Sequence, residues 1–115
     1  MNLTNGVDIV DIQRIERVLN RFGDRFLRRV YSDAEISRSR RRSTELAARF
    51  AAKEAVAKAL GVGMAILSPL GIEWHDVETL NEPSGRPYLV LHGRAERLAD
   101  QQNLSHWSIS LTHDG

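Results

Sequence analysis

The sequence contains no cysteine. That excludes a disulfide scaffold, a zinc finger, an iron–sulfur centre and a thiol nucleophile. Lysine is almost as scarce, with Lys53 and Lys58 the only two in 115 residues. No apolar run approaches the roughly 20 residues that a membrane-spanning helix needs. The opening Met1-Asn2-Leu3-Thr4-Asn5 has no basic residue followed by an apolar stretch, so no signal peptide is expected. A Walker loop, a Rossmann glycine fingerprint and a nucleophile elbow are also missing. The expectation is a soluble, cytoplasmic protein without a membrane segment.

What is present reads as one ordinary globular domain over residues 1–115. Apolar residues make up 42% and charged residues 27%, which excludes a disordered tail, a collagen-like chain and a coiled-coil rod. The net charge is +1, but its distribution is uneven. Residues 14–49 hold eleven arginines and five acids, a local net charge of +6, which leaves −5 for the rest. Such a segment either attracts a polyanion or is a set of solvated helix faces.

Leu3 to Val10 is β-branched and reads as a strand interrupted by Asp8. Asp11 stands where a helix N-cap belongs. Ile12, Ile15, Leu19 and Phe22 then follow at helical spacing and mark a core face, with Arg14, Arg17 and Arg21 on the opposite side and Gly23 ending the helix. Phe26, Leu27 and Val30 suggest a short helical turn. Ser32 and Glu35 have the capping-box spacing. Arg38 to Ser43 is polar and expected to be exposed. Thr44 to Leu60, free of glycine and proline, is the strongest helix, and Gly61 stops it.

Val62 to Gly71 reads as a loop and Ile72 to Leu80 as a strand. Asn81 to Pro87 is dense in turn residues, and Tyr88 to Leu91 completes a hairpin. A short helix is expected from Arg94 to Gln102. Trp107, Ile109 and Leu111 alternate with polar residues as in a half-buried strand. The class is α+β: a small antiparallel sheet packed with helices.

Few residues suggest chemistry. Asp8 in an apolar strand is either a capping residue or a ligand. Glu54 is either one half of an i,i+4 surface pair with Lys58 or, among the small alanines around it, a carboxylate that needs a partner or a metal. Two such carboxylates brought together suit Mg²⁺, with Lys53 and Lys58 neutralising substrate phosphates. His75, His92, His106 and His113 have no metal-ligand spacing.

Four segments carry a resemblance. Gly6-Val7-Asp8-Ile9-Val10-Asp11-Ile12-Gln13-Arg14-Ile15 resembles the opening motif of bacterial holo-acyl-carrier-protein synthases, and Arg49 to Gly61 resembles their second signature. Gly85-Arg86-Pro87-Tyr88-Leu89 and Ser108-Ile109-Ser110-Leu111-Thr112-His113 resemble the third and fourth. The order and spacing are the family's, over nearly the whole chain. The resemblance implies the 4′-phosphopantetheinyl transferase fold and transfer of 4′-phosphopantetheine from coenzyme A to a serine of apo-acyl carrier protein, in support of fatty acid biosynthesis. It further implies Mg²⁺ held by Asp8 and Glu54, with Lys53 and Lys58 on the phosphate side. Gly85, Arg86, Pro87, Thr112 and His113 would line the coenzyme A site, and Arg14 and Arg21 would meet the acidic carrier; Arg17 is expected beside them because it shares their helix face.

For the general base the resemblance leaves a bound water, a carboxylate or Lys53 open. The family forms homotrimers with sites between protomers and continues with an alanine-rich strand beyond the point where this sequence stops. Longer members of the superfamily, built of two similar halves, fit this length less well. The rival reading is a non-enzymatic nucleic-acid-binding module using the arginine-rich segment. It has no aromatic set for stacking beside those arginines and leaves Asp8 and Glu54 without a role.

Overall fold

The computed structural model describes residues 2–7, 9–66, 69–104 and 108–113; of residues 2–7, 9, 10 and 108–113 only the backbone is described. The elements are β1 (Asn2–Val7), α1 (Ile9–Phe22), α2 (Asp24–Val30), α3 (Asp33–Ser39), α4 (Ser43–Ala59), β2 (Val77–Asn81), β3 (Pro87–Leu91), α5 (Gly93–Gln101) and β4 (Ser108–His113).

Helix α4 organises the rest. Its small and apolar residues lie on all sides, the pattern of a helix enclosed by other elements. Toward one side Leu46, Ala47 and Ala48 pack with Ile12 and Ile15 of α1, Leu27 and Val30 of α2, and Tyr31. The Tyr31 hydroxyl donates to the Leu46 carbonyl at 2.7 Å. Burial, and next the charge of Glu35, push that phenol far above its ordinary range, so it stays a neutral donor. Toward the other side Val56, Ala57 and Leu60 pack with Met64, Ile72, Val77 and, from α5, Ala95 and Ala99. Gly61 ends α4 at φ +79°; its N–H reaches the Lys58 carbonyl at 3.0 Å and the Val62 N–H reaches Ala57 at 3.2 Å. This is the paired closure that a left-handed glycine permits.

Strands β2 and β3 form the expected antiparallel hairpin, with Val77 opposite Leu91 and Asn81 opposite Pro87. The strands at the two ends of the chain pair differently: β1 and β4 run parallel, from Asn2 opposite Ser108 to Val7 opposite His113. Both pack against α4.

Four local expectations are corrected. Helix α1 begins at Ile9, so Val10 is helical and Asp11 lies in the first turn instead of capping it. Within the expected strand from Ile72, only Val77 onward is β2. Ahead of it, Trp74–Asp76 forms a turn of 3₁₀ helix closed by reciprocal Glu73 and Asp76 bonds. Phe22 is 48% exposed, not in the core; it ends α1 with the Arg21 guanidinium 5.4 Å from its ring centre. Ser39, within a segment expected to be exposed, is buried. The Ser32–Glu35 capping box forms as expected.

Candidate active site

The short connection from α3 to α4 gathers arginines. Arg40 and Arg41 both adopt left-handed backbone, at φ 52° and 59°, a conformation that costs a non-glycine residue about 1–3 kcal/mol. Buried Ser39 holds the turn: its hydroxyl donates to the Ile36 carbonyl at 2.9 Å and accepts the Arg41 N–H at 3.2 Å. Arg41 turns away to pair with Asp24 at 2.6 Å. Arg38, Arg40 and Arg42 face a cleft of about 670 Å³, closed opposite by Asn81, Gly85 and Pro87 of the hairpin.

Arg49 forms part of the cleft wall and is 1% exposed. One terminal nitrogen donates to the Glu45 carboxylate at 2.7 Å and to the Glu45 carbonyl at 3.1 Å; the other donates to Asn81 Oδ1 at 3.3 Å. Asn81 Nδ2 in turn donates to the Gly85 carbonyl at 3.0 Å. Gly85 sits at φ +94°, where a side chain would be strained. Arg49 Nε is buried and has no hydrogen-bond partner among the described residues. With Arg38, Arg40 and Arg42 converging on it and the buried Arg49 bracing its wall, the cleft has the donor chemistry that suits an anion with several oxygens.

The second group lies on another side of α4. Glu54 and Lys58 are both exposed. Burial raises the Glu54 carboxyl, and Asp11 on the first turn of α1 raises it further; Arg14 and Lys58 pull it down. Arg14 also lies 3.5 Å from Asp11. Two carboxylates and two cations thus meet where α1 crosses α4. Arg14, Arg17 and Arg21 are all exposed along α1, as their spacing predicts.

Lys53 does not join Lys58. Its ammonium is fully buried and donates to Glu35 Oε1 at 2.9 Å, to the Trp74 carbonyl at 3.1 Å and to the Val77 carbonyl. Burial pushes this ammonium below its ordinary range, against the opposing pull of Glu35. Asp8 lies outside the described residues. The side chains of Thr112 and His113 do too, but the backbone register sets these residues beside Gly6 and Val7, so the first and fourth motifs meet. Arg86 is exposed on the turn whose Gly85 and Pro87 line the cleft. Sequence reasoning passed over Arg38, Arg40, Arg42 and Arg49 as individual site residues. The signal available was a run of arginine in a chain almost without lysine.

The model of the 4′-phosphopantetheinyl transferase superfamily matches residues 5–113. The chain belongs to that superfamily. Within it, the chain is an enzyme of the holo-[acyl-carrier-protein] synthase family. A synthase of that name from Herpetosiphon aurantiacus is 45% identical over 98% of this chain and 91% of its own length. Another from Koribacter versatilis is 46% identical over 98% and 90%. The crystal structure of the Helicobacter pylori synthase in complex with coenzyme A superposes with a TM-score of 0.77 at 33% identity, covering 90% of this chain and 84% of that one. The superfamily fold is therefore present here, including the α+β architecture and the hairpin that carries Gly85.

Proposed function

We propose that the chain transfers 4′-phosphopantetheine from coenzyme A to a serine of an apo-acyl carrier protein and releases adenosine 3′,5′-bisphosphate. The observation that carries this reading is the arginine cleft built on the Gly85 turn. Coenzyme A presents phosphates at both the 3′ and 5′ positions of its nucleotide. A cleft with Arg38, Arg40 and Arg42 on one wall, braced by the buried Arg49, supplies convergent donors for them. The serine oxygen attacks the phosphorus that bears the pantetheine arm, the bond from that phosphorus to the bisphosphate breaks, and the bisphosphate leaves with the electron pair. All three Lys53 ammonium hydrogens are committed to acceptors, so a water or a carboxylate is the better recipient of the serine proton. Lys58, exposed one turn from Glu54, is free to reach a phosphate.

The donor set fits Mg²⁺. Glu54 offers an exposed carboxylate beside Asp11, and the upward push on its carboxyl is what a bound cation would relieve. Asp8 and Glu54 would hold the ion, which when bound neutralises charge on the pyrophosphate.

Helix geometry supports a homotrimer with shared sites. At about 100° per residue, Arg49 and Glu54 point roughly 140° apart around α4. A coenzyme A seated in the cleft of one protomer is therefore better placed to meet Glu54 of another. The exposed Arg14, Arg17 and Arg21 suit an acidic carrier, and the reading places the reaction in cytoplasmic fatty acid biosynthesis. The nucleic-acid reading is weaker because the segment has no aromatic set for stacking beside its exposed arginines, and it leaves Asp8 and Glu54 without a role. The test is incubation with coenzyme A, Mg²⁺ and an apo-carrier, followed by intact-mass measurement. A phosphopantetheine-sized gain on the carrier serine is expected. No gain on a carrier that a related synthase modifies in parallel overturns the reading.

A further inference from the structure

We infer that Lys53 and Glu35 form a buried positioning pair that sets the two halves of the site against each other; the inference rests on the transfer reaction proposed above. Both side chains are 0% exposed. Glu35 Oε1 accepts the Ser32 N–H at 3.0 Å and the Lys53 ammonium at 2.9 Å, and Oε2 accepts the Thr79 N–H at 3.1 Å. Lys53 gives its other two hydrogens to the Trp74 and Val77 carbonyls. Every acceptor and donor needed to satisfy a buried ion pair is therefore in place.

The location gives the pair its role. It joins the first turn of α3, the middle of α4, the 3₁₀ turn and β2 at one point. Arg38 is three residues beyond Glu35 on α3, and Asn81 is two residues beyond Thr79 on β2, so the pair fixes both walls of the arginine cleft. On α4 the residue after Lys53 is Glu54. Anchoring Lys53 inward fixes the helix rotation that turns Glu54 outward. A buried ion pair adds little stability compared with apolar residues of the same volume, and positional specificity is the gain that remains. Lys53 is thus a positioning residue that does not touch the substrate.

The test is the double substitution Lys53→Met/Glu35→Gln, which removes both charges at nearly constant volume, measured beside the wild-type protein. The expected result is a folded protein whose kcat is at least about tenfold lower and whose affinity for Mn²⁺, read by electron paramagnetic resonance without substrate, is at least about tenfold weaker. The Michaelis constant for the carrier should stay within about twofold. Wild-type kcat and Mn²⁺ affinity in the folded double variant overturn the inference. So does a folded variant that binds Mn²⁺ and coenzyme A normally but transfers nothing, since Lys53 would then act on the reaction itself. If the double variant does not fold, Ser32→Ala loosens the α3 arm and its link to Glu78 on β2. A fall of about threefold in kcat and in Mn²⁺ affinity is then expected, and no change in either overturns the inference. Inactive wild-type protein, by contrast, defeats the transfer reading and leaves the Mn²⁺ comparison to decide the positioning role.

Discussion

Replacing Arg49 by Met separates its two duties. On the folding side the substitution removes a bond to the Glu45 carboxylate, a bond to the Glu45 carbonyl and a bond to Asn81. A hydrogen bond between charged groups contributes about 1.5–3 kcal/mol and a neutral one about 0.5–1.5 kcal/mol. Against this, Met also removes a buried, unpartnered Nε–H, whose desolvation costs about 1–3 kcal/mol. The net loss is about 1–3 kcal/mol, or some 4–12 °C in Tm at about 4 °C per kcal/mol. On the binding side, the charge-assisted bond that Arg49 would give a seated phosphate is lost; at about 1.5–3 kcal/mol this would raise the coenzyme A constant about 10- to 150-fold. The assay is initial rate against coenzyme A at saturating carrier, at a temperature well below the Tm of the variant, with unfolding followed in parallel. The carrier constant should not move. Arg49→Lys should remain impaired, because a single ammonium cannot hold Glu45 and Asn81 and still present a free donor. A Tm fall of the expected size with an unchanged coenzyme A constant would refute the anion role and leave Arg49 as a brace between α4 and the hairpin.

Four other outcomes are expected. Arg14→Glu or Arg21→Glu should raise the carrier constant at least about tenfold, since reversal replaces attraction with repulsion; added salt should narrow the gap to wild type, and equal effects on coenzyme A would count against a docking role. Asp8→Ala and Glu54→Ala should each abolish transfer with the circular dichroism spectrum unchanged, and near-normal turnover at saturating Mg²⁺ would remove the metal assignment. Light scattering should give a trimer mass; a fully active monomer would rule out shared sites. The Ser32 hydroxyl, then His92, hold the Glu78 carboxyl below its ordinary range, against opposing burial. Its stability contribution is therefore full above about pH 4.3 and lost as pH falls through the lowered folded value. Glu78→Gln should flatten that acid limb in a pH series of urea unfolding curves, and an unaltered limb would contradict it.

Local chemistry made much of this fold legible. Ser32 and Glu35 announced a capping box because both halves of that motif lie within four residues. Gly23 and Gly61 marked the ends of α1 and α4. Most of what failed was non-local. The parallel pairing of β1 with β4 has no local signature, since any two alternating strands are compatible with either direction. Ile72 and Trp74 looked like strand residues because they are apolar and alternate; the reciprocal Glu73–Asp76 bonds decide the backbone there instead. Helix α4 concealed most of the site. With alanine on every side it has no apolar stripe, so no pattern could tell that Lys53 turns inward and Glu54 outward. The arginine segment was conspicuous, but its convergence on Gly85 depends on a turn of two left-handed arginines that propensities disfavour.

The pairing of β1 with β4 bears on how the chain is made. Asn2 finds its partner at Ser108, and closing a loop of that length costs about 4 kcal/mol of chain entropy. On a ribosome, β1 emerges well before β4 and lacks that partner while α1 to α5 are synthesised. Helix α4, which packs against both strands, emerges midway and offers β1 a first surface. When β4 follows, it brings the fourth motif beside the first. The first and fourth motifs thus come together only after β4 has been made.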